Sequence, residues 1–187
     1  GSDIYDYFAA ARRRQEDVLV RSAHNRELAG RKDHLWDKVK RTDALGVLVV
    51  ELPRADDRPP QTVTLQLRTA RVRLHIPPKA KAQDEVRLVL SAILAQEIEP
   101  PEGREPIEWR LLTTLVVESA EDACNCVRWY TKRWTIERYH YTLKSGCEVE
   151  ELQLETVDRL HRALAVYSVV AWRLLYLTYM ARTEPES

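Results

Sequence analysis

Several features of familiar protein classes are missing from this sequence. Its 29 Lys and Arg balance its 29 Asp and Glu, so the overall charge gives no argument for a nucleic-acid partner. Three Cys, an odd number, argue against a disulfide framework, and the spacing of Cys124, Cys126 and Cys147 does not match a zinc site. We therefore predict reduced thiols on helix faces. A Ser-His-Asp set, a phosphate-binding loop and a dinucleotide-binding fingerprint are also absent, which leaves those chemistries without support.

The chain also lacks a long uninterrupted apolar run. The longest, around Leu164–Leu177, contains Arg173 and is too short to cross a bilayer. No signal peptide is recognisable, so we expect a cytoplasmic protein. Hydrophobic residues nevertheless make up 44% of the 187 residues, which is enough to form a sizeable core in one domain or a large part of one.

Basic residues are concentrated in the first third of the chain. They are Arg12, Arg13, Arg14, Arg21, Arg26, Arg31, Lys32, Lys38, Lys40 and Arg41, and Arg68, Arg71 and Arg73 follow. Acidic residues are concentrated between Glu97 and Asp122. Each basic cluster is equally consistent with an ordinary solvated face and with a DNA-binding surface.

Periodicity predicts an α+β fold. An apolar stripe favours a helix from Asp3 to about Arg14, and Val18–Val20 favours a short strand followed by a polar connection. A β-rich region then extends from about Gly46 to Val117. Its predicted strands are Val47–Leu52, Thr62–Leu67, Arg71–Ile76, Val86–Glu97 and Trp109–Val117.

The pattern becomes helical at Ser119. Ser119 with acid in the following turn is typical of a capping box, so we predict a helix from about Ala120 to Lys144 that Gly146 stops. A second long helix is predicted from Glu155 to about Met180, because its apolar residues recur at helical spacing. The β-rich stretch therefore lies between two helical parts.

The predicted helix from Ala120 carries the most informative residues. Tyr130, Arg133, Glu137 and Lys144 are separated by three, four and seven residues. In an ideal helix they fall within an arc of roughly 60°. The carboxylate is a hard oxygen ligand for Mg²⁺, and Arg and Lys can bind phosphate oxygens. The alternative is an exposed Arg133–Glu137 pair that contributes only about 0.3–0.5 kcal/mol to stability.

This Tyr-x2-Arg-x3-Glu-x6-Lys spacing resembles the signature of the insertion-sequence-four family of bacterial DDE transposases, which includes the transposon-five transposase. Other segments are also similar to that family. They are Asp3–Phe8, Val20–His24, Ile107–Thr113 and the apolar Leu160–Leu177. The resemblance therefore extends over nearly the whole chain.

The resemblance implies a partial ribonuclease H-like core with a β-rich insertion before the helix of the catalytic Glu. Residues 1–24 would end the first part of the core, 25–117 would form the insertion, and 118–187 would complete the core. The family has three metal-binding acids, and Glu137 takes the Glu position. The two Asp would precede this chain, so we expect an inactive C-terminal fragment of the catalytic domain. Loss of the upstream strands would leave Val18–Val20 beside an open sheet edge.

Roles for individual residues follow from the same resemblance. Glu137 would be catalytic and would bind Mg²⁺, with Mn²⁺ as a substitute. Tyr130, Arg133 and Lys144 would contact phosphates at the DNA end, and Arg21 would contact DNA near the active site. Trp109 would stack on a base extruded during hairpin formation, and a buried strand Trp is the equally weighted alternative.

The implied parent enzyme is a cut-and-paste transposase. It would cleave double-stranded DNA at transposon terminal repeats and join the 3′-hydroxyl to target DNA, with a homodimer in the synaptic complex as a further implied partner. A second hypothesis is a truncated, non-catalytic remnant that binds DNA ends or the full-length transposase. A third is a soluble α+β domain in which the signature is accidental.

Overall fold

A computed structural model of the chain describes residues 5–30, 33–53, 59–75 and 88–183. The chain divides into two compact units, Gly1–Tyr130 and Thr131–Ser187. The first unit contains α1 (Tyr5–Arg14), β1 (Leu19–Arg21), α2 (Leu35–Lys40), β2 (Gly46–Leu52), β3 (Gln61–Arg73), β4 (Val89–Glu97), β5 (Glu108–Thr113) and all but the last residue of α3 (Ala120–Thr131). The second contains α4 (Arg133–Tyr141), a π-helical turn (Thr142–Gly146), a 3₁₀ turn (Val149–Glu151) and α5 (Val157–Thr183).

The predicted α+β class is confirmed, and the strands of the first unit form one antiparallel sheet. Their order is β1-β5-β4-β3-β2, so β1 lies at an edge of the described sheet, as expected. β3 is 13 residues long and extends past β2, whose Gly46 pairs with Leu67. Beyond that point Ala29 donates its N–H to the Arg73 carbonyl at 2.9 Å. The connection between β1 and β2 therefore covers the far end of β3.

One face of the sheet is covered by α1 and α2. Phe8 and Leu35 are fully buried, and Trp36 is 1% exposed. The sheet contributes alternate residues to the same cluster, namely Ala70, Val72, Leu90, Ala92, Leu94 and Leu112. Burial of these large apolar side chains is the main stabilising contribution to this unit.

The opposite face of the sheet contacts α3. The inward side of α3 is formed by Ala123, Cys126 and Val127, which are almost completely buried. A Cβ on Gly46 would lie 3.1 Å from the Cβ of Ala120, so a larger residue at the start of β2 would require this helix to shift by a few tenths of an ångström. The sheet is therefore covered on both faces, which explains why its central strand β4 is buried at almost every position.

Two sequence predictions about strands were wrong. The separate strands predicted over Thr62–Leu67 and from Arg71 onward are one strand, β3, because residues 65–73 pair with β4 without interruption and no Gly or Pro breaks them. The strand predicted over Trp109–Val117 ends at Thr113. Parts of three predictions lie outside the described residues. They are the start of the first helix at Asp3, the strand end at Ile76 and the strand start at Val86.

The sequence analysis did not predict the helix α2, which lies in the polar connection between β1 and β2. The prediction of one continuous helix from Ala120 to Lys144 was wrong. α2 is only six residues long, yet Leu35, Trp36 and Val39 are all buried. The predicted helix from Ala120 to Lys144 is divided at Lys132 into α3 and α4, and α4 gives way to the π-helical turn at Thr142. The Thr142 hydroxyl bonds back to the Arg138 carbonyl at 3.0 Å, an interaction that commonly distorts helices.

α5 is the main element of the second unit. Tyr139 of α4 donates its hydroxyl to the Ser168 carbonyl of α5 at 3.3 Å. Over Val157–Ala181 this helix is long and apolar enough to cross a membrane, with a mean hydropathy of 1.4 and 6% of the segment buried. The run Leu164–Leu177 considered in the sequence analysis is the inner part of this longer segment. Length and composition alone do not establish a membrane span, since core helices of soluble proteins meet the same criteria.

Candidate functional site

Glu137 lies on α4 with its side chain 51% exposed. The Arg133 guanidinium, one helical turn earlier, donates from Nη1 to Glu137 Oε1 at 2.5 Å. This is the geometry of an ordinary exposed i,i+4 pair, which contributes about 0.3–0.5 kcal/mol. It also leaves a carboxylate beside a cation on an accessible surface, where a metal ion and a phosphate oxygen could both bind.

Lys144 is paired with a carboxylate, Glu150, in the structure. It lies in the π-helical turn, and its Nζ is 2.6 Å from Glu150 Oε1, with both side chains more than half exposed. Within this turn Cys147 donates its N–H to the Thr142 carbonyl, five residues back. The regular helical spacing between Glu137 and Lys144 is therefore interrupted. Turns of this kind inside helices occur frequently at functional sites.

Tyr130 and Trp109 contact each other in the first unit. Their ring centroids are 5.4 Å apart with an interplanar angle of 62°, an edge-to-face arrangement. Tyr130 is 8% exposed and Trp109 is 6% exposed. This arrangement is the one expected of a buried strand Trp. The stacking of Trp109 on an extruded base and the contact of Tyr130 with a phosphate stay predictions, and both require the rings to become accessible.

Arg21 is the last residue of β1 and is exposed. Together with Ser22, Ala23, Glu108 and Arg110 it lines an open cavity of about 410 Å³. The Ser22 N–H donates to the Arg110 carbonyl at 2.7 Å, which anchors the end of β1 to β5. The predicted DNA-contacting Arg therefore lies at a cavity with a second Arg.

Arg110 was missed by the sequence analysis. Its guanidinium lies 6.0 Å from the centre of the Trp36 ring and pairs with Glu108 at 2.5 Å. Lys40 approaches the other Glu108 oxygen at 3.6 Å. The available signal was an Arg between the apolar Trp109 and Leu111, on the opposite face of the strand from both.

The predicted metal ligand of this chain is Glu137. Glu137 offers one hard oxygen ligand of the kind that Mg²⁺ prefers. In the part of the chain that the structure describes, no group of three or more His, Cys, Asp or Glu side chains could hold a metal ion. The described residues therefore do not by themselves supply the three carboxylates of a two-metal site.

The family was identified by comparison with known protein families. The model of the transposase DDE domain matches residues 9–172, which include the sheet, α3, α4 and most of α5. The chain therefore belongs to the transposase DDE domain family. Proteins of this family cleave and join DNA and use divalent metals. The hypothesis of a soluble α+β domain unrelated to transposases is therefore excluded.

Proposed function

We propose that this chain is the C-terminal part of the catalytic domain of a cut-and-paste DNA transposase of the insertion-sequence-four type. The observation that carries the proposal is the family match over residues 9–172, which includes the four signature positions. Glu137 is the catalytic carboxylate and binds Mg²⁺, with Mn²⁺ as a substitute. Its exposed carboxylate supports this assignment, because a metal ligand must be reachable by the substrate.

The remaining metal ligands are supplied by residues outside these 187. The support for this step is the family pattern, in which both Asp precede the segment that Asp3–Phe8 resembles. Two Asp would complete the site, one ion would activate the attacking hydroxyl, and the other would stabilise the leaving oxygen. The isolated chain therefore neither nicks nor joins DNA.

Contacts to the DNA end come from cationic and aromatic side chains. Arg133 and Lys144, both about half exposed, bind phosphates after exchanging Glu137 and Glu150 for the DNA. Arg21 reaches the backbone from its cavity. Tyr130 and Trp109 act at the DNA end once they are exposed. The partners are the double-stranded terminal repeats and target DNA, a second copy of the protein completes the synaptic complex, and the complex works in the cytoplasm.

A non-catalytic remnant is the second candidate, and it is favoured because the residues that the structure describes form no group of three metal-binding acids. Both candidates predict that the isolated chain binds a transposon-end duplex without cutting it. They differ in the protein encoded by the complete reading frame, because only a transposase supplies the two Asp. The test is a cleavage assay of both proteins with an end-labelled terminal-repeat duplex and Mg²⁺. Cleavage by the complete protein supports the transposase, and binding without cleavage by both supports the remnant.

A further inference from the structure

A cleft with several cations lies where β3 extends past β2. It has a volume of about 630 Å³ and is open to solvent. The helix α2 contributes Lys38, and Arg41 directly follows that helix. The strand contributes Arg71 and Arg73, which flank the buried Val72. Cations from two different elements therefore face one cleft.

A single carboxylate opposes these four cations among the described lining residues. Asp33 accepts a hydrogen bond from Arg41 Nη2 at 2.5 Å, and its side chain is 23% exposed whereas that of Arg41 is 63% exposed. Lys38 Nζ donates to the Arg71 carbonyl at 2.8 Å, which holds α2 against the strand. The net positive charge of the cleft is therefore carried by residues of α2 and β3 and by Arg41, which directly follows α2.

The form of the cleft selects the kind of anion. A small anion needs an enclosed site with convergent donors, whereas this cleft is open and its cations are spread along a helix and a strand. Two Arg forks on one strand suit successive phosphates of a polyanion, because each fork can bind two oxygens of one phosphate. Arg71 and Arg73 are both exposed, so their side chains can reach such a partner.

We propose that this cleft binds the phosphate backbone of duplex DNA, independently of sequence, as a second contact surface beside the signature residues. The inference rests on the proposed function, since it takes DNA as the partner. It adds Lys38, Arg41, Arg71 and Arg73, none of which belongs to the Tyr-Arg-Glu-Lys signature. Contacts of this type position DNA and carry no base readout.

The test is the salt dependence of binding to a duplex without terminal repeats, measured by fluorescence anisotropy on the full chain. Two lost phosphate contacts should reduce the slope of log K against log salt by about 1.8 in Arg71→Gln/Arg73→Gln. The conservative variant Arg71→Lys/Arg73→Lys should keep most of the slope, because each Lys retains the charge. The control Arg159→Gln/Arg162→Gln removes two exposed, acid-paired cations of α5 and should leave the slope unchanged.

Asp33→Asn provides a variant whose expected effect is a gain. The amide oxygen can still accept the His34 N–H that Asp33 accepts at 3.0 Å, while Arg41 loses its ion pair. Removal of the opposing carboxylate should strengthen duplex binding at low salt without reducing the slope.

The outcomes separate the inference from the proposed function. If the unaltered chain binds no duplex even at low salt, both are overturned. If it binds DNA but the Gln variant keeps the full slope, or the α5 control loses as much, only the cleft is excluded. If the unaltered chain binds RNA but not duplex DNA, DNA is the wrong class of partner.

Discussion

The Tyr130 ring meets the Trp109 ring edge to face, with centroids 5.4 Å apart, and both side chains are buried. The two residues were each predicted to contact DNA for a separate reason, and the structure places them in one contact. The pair joins α3 to β5, so exposing one ring also disturbs the other. Any role at the DNA end is therefore coupled to the packing of α3 on the sheet.

The first prediction concerns this pair. Trp109→Ala should lower the free energy of unfolding by about 3–5 kcal/mol, because it leaves a large cavity. A double-mutant cycle of Trp109→Leu and Tyr130→Leu should give a coupling energy of about 0.5–1.5 kcal/mol, as edge-to-face pairs do. Urea denaturation measures both. A Trp109→Ala variant as stable as the parent would show that Trp109 is already exposed in solution.

The second prediction concerns Glu97, which anchors the β4–β5 loop. It is paired with Arg104 Nη2 and also accepts the Ile107 N–H at 2.9 Å, and its side chain is only 4% exposed. Glu97→Ala should cost about 3–5 kcal/mol of unfolding free energy, because it leaves the Arg104 charge without its partner. The matched control is Glu155→Ala, which removes the exposed pair with Arg159 and should cost at most about 0.5 kcal/mol. Equal losses in both variants would contradict this account.

The third prediction concerns thiol reactivity. Burial, with a smaller contribution from the Asp122 charge, raises the pKa of Cys126 to about 11. The thiolate is the reactive form, so Cys126 should react with iodoacetamide more slowly than Cys124 or Cys147 at pH 8, which mass spectrometry can follow. Since the folded pKa lies above the unfolded value of 9.0, the contribution of this thiol to stability is complete below pH 9 and is lost as the pH rises toward 11. Equal labelling of all three thiols in the native protein would contradict the prediction.

The fourth prediction concerns the cap of α3. Ser119 Oγ accepts the Asp122 N–H at 3.1 Å and Asp122 Oδ2 accepts the Ser119 N–H at 3.0 Å, which confirms the predicted capping box. Ser119→Ala should cost about 1 kcal/mol of unfolding free energy. Hydrogen bonds from the Ser119 side chain, then the Ser119 and Glu118 backbones, lower the pKa of Asp122 below 3.8.

The lowered pKa of Asp122 gives the cap a pH dependence. Its contribution to stability is present above pH 3.8 and is lost as the pH falls through the folded-state value. Asp122→Asn should therefore flatten the acid limb of a stability–pH curve, while Glu121→Gln serves as the first-turn control. An unchanged acid limb in Asp122→Asn would show that Asp122 does not contribute to the pH dependence of stability.

Elements with strong periodicity were predictable from the sequence, and elements held by tertiary contacts were not. The strand over Val47–Leu52 was placed within one residue of β2, because its alternation matches one buried face. In contrast, α2 is short and lies in a polar connection, so its three buried side chains gave too weak a periodic signal. The strand end at Thr113 depends on tertiary pairing, which the apolar run up to Val117 does not reveal.

The candidate site also has features that the sequence predicts and features that it does not. The Arg133–Glu137 contact follows from i,i+4 spacing and is present. The interruption at Lys132 was not predictable, because neither Gly nor Pro marks it. The change to a π-helical turn at Thr142 had only one weak signal, the hydroxyl of Thr142, which bonds back to the Arg138 carbonyl. The clustering of Lys38, Arg41, Arg71 and Arg73 needed the register of β3, since these residues are distant in sequence.

The most direct test of the central claim is metal-dependent cleavage of a terminal-repeat duplex by the protein of the complete reading frame, with and without Glu137→Gln. We predict that the variant binds the duplex with the affinity of the parent and unfolds within about 0.5 kcal/mol of it, because Glu137 makes only an exposed pair. Cleavage in Mg²⁺ or Mn²⁺ should be lost. A Glu137→Gln protein that still cleaves at the parent rate would show that this carboxylate is not a catalytic metal ligand.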